Sequence, residues 1–361
     1  MPHSPASSRG LHAYAWLTAL ATLGLIGLGG LVTSHGAGMA VPDWPTTYGY
    51  NMFLFPISQW IGGVFYEHTH RLYASGVGFL TVVLAVWLQL RARDRALARW
   101  GWVALGLVIV QGVLGGLRVS LMKDQIGIIH ASLAQAFLVL LVAIAVRLSP
   151  AWVRWSEQAP AAGPSTGRWV GAVTCMIFLQ LVLGAAMRHQ HAGLAVPDFP
   201  LAYGRVWPPT DDAFLQSVNA LRTDTRDFNP ITAAQVHLHM THRLLAFGIL
   251  AGVVVAARKL RRAFGPASAP GRLALAWKGL IGVQVILGAT TVWTNKAADI
   301  ATLHVVVGAS CLAVGAWSTI LAREASRRSH ASASATGLRP VGDAAGGGSG
   351  SSRSVGVGVP A

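Results

Sequence analysis

Charge is scarce in this chain, and acid scarcer still. Asp, Glu, Lys and Arg together make up 11% of 361 residues, with 13 acids against 28 Lys and Arg. A chain of this size with so few charges does not read as a soluble protein. Cysteine is nearly absent: Cys175 and Cys311 both lie inside apolar runs. That excludes a disulfide framework and points to small buried packing residues rather than redox groups. A cleavage signal is also missing, because the first apolar run passes into a polar loop without an A-x-A site, so a retained first helix is expected rather than a signal peptide.

What is abundant is apolar sequence, 53% of the chain. Runs long enough to cross a bilayer fall near 13–33, 68–90, 101–120, 127–146, 169–188, 238–257, 274–293 and 301–322. The expected fold class is an all-α polytopic membrane protein with eight transmembrane helices. The formal charge of +15 would suggest nucleic acid in a soluble chain. Here Arg91, Arg93, Arg95 and Arg99 sit in one short connection, and Arg258, Lys259, Arg261, Arg262, Arg272 and Lys278 border another. Those connections and both termini are expected to be cytoplasmic, with no nucleic-acid partner. The opposite loops differ: 35–66 has Asp43 as its only charge, and 189–236 has five Asp against Arg205, Arg222 and Arg226.

An internal repeat organises the spans. Ala40-Val41-Pro42-Asp43-Trp44-Pro45 with Tyr48-Gly49 returns as Ala195-Val196-Pro197-Asp198-Phe199-Pro200 with Tyr203-Gly204, 155 positions later. His70-Arg71 returns as His242-Arg243, 172 later; Val110-Gln111 with Leu114-Gly115 returns as Val283-Gln284 with Leu287-Gly288, 173 later; His130 returns as His304, 174 later. An insertion of about 17 residues in the second outer loop accounts for the jump. An even number of spans in each copy implies two parallel-repeat four-helix bundles. The expected organisation is a cytoplasmic N-terminus (1–12), an N-terminal half (13–147), a linker (148–168), a C-terminal half (169–322) and a disordered basic, Gly- and Ser-rich tail (323–361).

The chemistry-bearing residues cluster at one membrane edge. Glu67, His70 and Arg71 fall at i, i+3 and i+4, so a carboxylate, an imidazole and a guanidinium share a helix face. His70, His130, His242 and His304 are expected about one turn inside the outer ends of even-numbered helices. A lone histidine in a membrane helix is commonly a hydrogen-bonded packing residue or part of a proton path. Four at repeat-equivalent positions fit two facing pairs, each able to hold a heme iron. Zinc competes, but it usually takes three or four protein ligands. Arg71 and Arg243 are placed to meet propionates.

Glu67 has no counterpart, its aligned position being His239. Either Glu67 only pairs with Arg71, or one pocket does chemistry while the other carries electrons, with a carboxylate to stabilise positive charge or move a proton. His68, His237, His239, His35, His189 and His191 are expected to be surface or proton-path residues. The rigid Val-Pro-Asp-aromatic-Pro loops fit equally as pocket caps carrying Trp44 and Phe199 or as interfacial anchors.

Together, Glu67-x-x-His70-Arg71, His130, His242-Arg243, His304 and the loop Gly38–Pro45 resemble the heme A synthase family over about residues 13–322. The resemblance implies an oxidoreductase of the inner (plasma) membrane that oxidises a methyl group of heme O to a formyl group by successive oxygenations, for cytochrome oxidase assembly. By that analogy Glu67, His70 and His130 take the substrate heme O, while His242 and His304 hold a permanent heme b that passes electrons. Implied partners are heme O synthase, oxidase assembly factors and a membrane electron donor such as a quinol. The cysteine pair that some bacterial members carry in an outer loop is absent here. A diheme b-type electron-transfer protein would explain the four histidines without needing Glu67. A proton-relay transporter would place its histidines nearer the midplane.

Overall fold

The computed structural model describes residues 5–92, 94–160, 162–222 and 229–335. Arg93, Arg226 and the expected tail beyond Ala335 lie outside the described residues. Ten α-helices are found among those residues: α1 Pro5–Ser34, α2 Gly62–Arg91, α3 Arg95–Ser120, α4 Asp124–Leu148, α5 Pro150–Gln158, α6 Pro164–His189, α7 Asp212–Ala220, α8 Ala233–Phe264, α9 Ala269–Trp293 and α10 Ala298–Ala335. Eight are long and apolar enough to cross a membrane.

Local chemistry sets their ends. Asp94 caps α3 by accepting from the Ala96 N–H, and Ser268 caps α9 by accepting from the Gly271 N–H. Thr232 and Gln235 form a reciprocal capping box at α8, and α6 opens on Pro164, where a missing N–H costs nothing. Outward faces carry Phe79, Ile109, Ile129, Phe247 and Ile286, all exposed as lipid-facing residues would be.

The first four long helices pack in the ring α1–α2–α3–α4, and α6–α8–α9–α10 pack in the same cyclic order. The two rings meet along α1 with α10, α4 with α6, and α4 with α10. Small residues let the backbones approach at this seam: a Cβ on Gly27 would lie 3.1 Å from Val306, and one on Gly30 would lie 3.1 Å from Thr302. Within each ring α2 and α4, or α8 and α10, are diagonal partners that face one another across the interior.

Several expectations change. Each helix outruns its apolar run, because the flanking polar residues remain helical. The charged 258–278 connection shrinks to Gly265–Ser268, and most of its basic residues ride on the ends of α8 and α9. For the same reason His70 and His242 lie two turns inside their helices rather than one, since α2 begins at Gly62 and α8 at Ala233. The last helix continues to Ala335, so 323–335 is helical where a disordered tail was expected. The linker holds the short helix α5, whose Trp155 donates to the Leu321 carbonyl at 3.0 Å. Cys311 is buried as expected, but Cys175 is exposed.

Candidate functional site

The two Val-Pro-Asp loops are built alike. Asp43 accepts from the Tyr48 and Gly49 N–H groups at 2.7 and 2.9 Å and from the Thr46 hydroxyl. Asp198 accepts from Tyr203 and Gly204 at 2.6 and 2.9 Å. Both loops carry a cis proline after the aromatic residue, and the Tyr48 and Tyr203 hydroxyls donate to the Ala40 and Ala195 carbonyls. Partial burial pushes the Asp43 carboxyl upward. The donors from Gly49, Thr46 and Tyr48 outweigh it and leave the group below the usual carboxylate range. Burial, and then the nearby Asp198 charge, pushes the Tyr203 phenol up to about 12.

The arginines expected to meet propionates are instead committed to these loops. Arg71 Nη1 donates to the Asp43 and Thr46 carbonyls at 2.7 and 3.1 Å, and Nη2 donates to the Val41 carbonyl at 2.9 Å and to Glu67 Oε1 at 2.8 Å. Arg243 donates to the carbonyls of Leu201, Val196 and Asp198 at 2.9, 3.2 and 2.8 Å. In each half the guanidinium after the histidine locks the loop onto its helix. Glu67 is buried, and its second oxygen accepts from the Val41 N–H at 2.9 Å. The Glu67–Arg71 pair is therefore real, and the carboxylate is held by two donors.

All four predicted histidines point inward. Their Nδ1 atoms are buried with no hydrogen-bond partner. Each ring backs onto a glycine of the adjacent helix: His70 on Gly29 of α1, His130 on Gly115 of α3, His242 on Gly184 of α6 and His304 on Gly288 of α9. A Cβ on those glycines would lie 3.2 to 3.5 Å from Cε1. These glycines repeat at the offsets of the halves themselves, Gly29 to Gly184 and Gly115 to Gly288, a signal readable in the sequence that went unused for Gly29 and Gly184. Gln111 donates to the His130 carbonyl at 3.1 Å, and its aligned residue Gln284 lies 3.4 Å from His304 Nε2. His70 and His130 lie on the diagonal partners α2 and α4, and His242 and His304 on α8 and α10.

A buried imidazole nitrogen without a partner is costly. Four of them, paired across two bundle interiors and cradled by glycines, fit axial ligation of two porphyrin irons. Among the described residues no group of three or more His, Cys, Asp or Glu side chains gathers as a zinc site would require.

The remaining histidines divide. His68 and His239 are not surface residues, being 0% and 3% exposed. The α2 and α8 faces they occupy are covered by the loops. His68 lies against Phe55 and Trp60 with Thr47 at 3.2 Å. His237 is exposed, 3.3 Å from Thr210, and His35 stacks on Tyr66 at 4.0 Å. His189 reaches across the seam to Asp124, 3.8 Å away. Trp44 packs over Gly116 of α3, where the second half has Ala289, and Phe199 meets Trp293 and Arg243. Two half-buried arginines escaped the sequence reading because only tertiary packing brings them to the pockets. Arg118 ends α3 near His70 and His130, and Arg188 ends α6 near His304.

Residues 12–315 match the family model described as "Cytochrome oxidase assembly protein". The chain is 26% identical to the heme A synthase of Novosphingobium aromaticivorans, covering 89% of this chain and 97% of the relative. It is 31% identical to that of Caulobacter vibrioides, covering 69% and 70%, and 29% identical to that of Shouchella clausii, covering 58% and 68%. The chain belongs to the heme A synthase family.

Proposed function

We propose that this protein converts heme O to heme A, oxidising one ring methyl to a formyl group. The observation that carries the reading is the contrast within a shared plan: two cradled histidine pairs, with a buried carboxylate beside only the first. His70 and His130 take the substrate heme O, and His242 and His304 hold heme b. When bound, heme b supplies one-electron transfer toward the first pocket. In the substrate, dioxygen, two electrons and two protons turn the methyl into a hydroxymethyl group and water. A second round of the same stoichiometry gives the hydrated aldehyde, which loses water to leave the formyl group.

The residues of the chain set the stage for this chemistry. Arg71 and the Val41 N–H orient the Glu67 side chain one turn before His70, where it stabilises positive charge developing at the reacting carbon or receives a proton from it. Trp44, seated on Gly116, closes the first pocket toward the long loops and limits water. The basic residues at the short-loop end support a cytoplasmic position for both termini, with the pockets toward the outer face of the inner membrane. A heme O synthase upstream and a quinol-type donor fit this placement.

The test is co-expression with a heme O supply in a host lacking heme A, followed by extraction and mass-resolved separation of the pigments. Heme A or its hydroxymethyl precursor is expected. Resident heme b with unaltered heme O, in folded protein, would instead support the diheme electron carrier.

A further inference from the structure

We propose that Arg118 receives a carboxylate of the porphyrin in the first pocket, and that Asp124 and His189 hold it in place, His189 being contributed by the opposite half. The inference rests on the functional reading above and adds the recognition of the substrate's acid edge.

Arg71, the cation adjacent to the first ligand, has both terminal nitrogens engaged with the loop and Glu67, so it has little left for a ligand. Arg188 is similarly committed, donating to the Gly30 carbonyl at 2.8 Å, the Ser34 hydroxyl at 2.7 Å and the Ala301 carbonyl at 3.4 Å. Arg118 is different. Its Nη2 donates to Asp124 Oδ1 at 2.8 Å, Nε is buried without a partner, and Nη1 has no hydrogen bond among the described residues. It lies one turn beyond Gly115, the glycine that backs His130. Gly38 of the first loop leaves the guanidinium its space, since a Cβ there would fall 2.5 Å from Nη1 and 2.7 Å from Nη2. A planar cation with unspent donors at the edge of an apolar pocket is suited to a carboxylate, through charge-assisted hydrogen bonds.

The support comes from across the seam. His189, at the end of α6, lies over Gly127 of α4, and its Nδ1 is 3.8 Å from the Asp124 oxygen that Arg118 also uses. Asp124 thus faces groups from both halves, hydrogen-bonded to Arg118 and with His189 beyond it. The second pocket has no copy of this group: the positions aligned with Arg118 and Asp124 are Thr291 and Ala298, and Ser34 stands in the first half where His189 stands in the second. Arg118 and Asp124 therefore accompany Glu67, in the half assigned to the substrate.

The experiment titrates the purified full-length protein, carrying its resident heme, with hemin and with hemin dimethyl ester, which lacks the free acids. The His70-dependent absorbance change reports the first pocket. The wild type is expected to prefer the diacid by about tenfold or more, the worth of one charged hydrogen bond. Arg118→Gln is expected to abolish that preference while leaving ester affinity unchanged, Arg118→Lys to restore part of it, and His189→Asn to narrow it. An intact resident-heme spectrum checks folding, and the lysine variant serves if the glutamine variant does not fold. Equal weakening of both probes in Arg118→Gln, or an unchanged preference, overturns the assignment. Absence of any His70-dependent uptake in the wild type overturns the functional reading together with it.

Discussion

The two halves share a frame and differ at a few side chains. Each has a ring of four long helices, a Val-Pro-Asp loop pinned by an arginine, and a diagonal histidine pair backed by glycines. Where the first half places Glu67, Arg118 and Asp124, the second has His239, Thr291 and Ala298. On the function proposed above, the shared frame holds two porphyrins in equivalent surroundings and the asymmetry decides which one is transformed.

The comparison breaks most sharply at the ligands. His304→Ala is expected to empty the resident pocket almost completely, read as pyridine hemochrome per protein, whereas His70→Ala keeps the resident heme and abolishes turnover. Equal loss from both variants would mean the halves are not specialised.

The arginines come next. Arg71→Ala strips the buried Glu67 of its counter-charge and is expected to cost about 3–5 kcal/mol. Arg243→Ala leaves only carbonyls unpaired and should cost about 1–3 kcal/mol. Thermal unfolding in one detergent should therefore rank Arg71→Ala below Arg243→Ala.

The glycine cradles give a smaller, half-specific effect. Gly184→Val crowds His242 and should lower resident heme several-fold, while Gly29→Val crowds His70, leaves the resident heme intact and weakens hemin uptake by the first pocket.

The smallest effect concerns pH. The Asp43 carboxyl is held below its ordinary value, so its contribution to the first loop is fully present above the unfolded pKa, about 3.9, and fades as pH falls through the lower folded value. Trp44 emission should report loosening of the loop only below about pH 4, and Asp43→Asn should remove that pH dependence.

Much of this frame was legible in the sequence, because lipid forces long apolar runs and a duplication repeats its spacing. The eight spans and the four histidines followed from those two facts. The role of Arg71 was not legible: its nearness to His70 in sequence suggested a ligand contact, whereas its reach is set by carbonyls of a loop some 28 residues upstream. His68 looked superficial because nothing local reveals that Phe55 and Trp60 fold over it. Arg118, Asp124 and His189 come from three helices and meet only at the seam, so no spacing in the chain announces them.

The most direct test of the central claim, that the first half alone does the chemistry, is pigment analysis of Glu67→Gln co-expressed with a heme O supply. The account predicts resident heme at the wild-type level, heme O retained, and heme A with its hydroxymethyl precursor lost. Heme A at wild-type yield from this variant would contradict it.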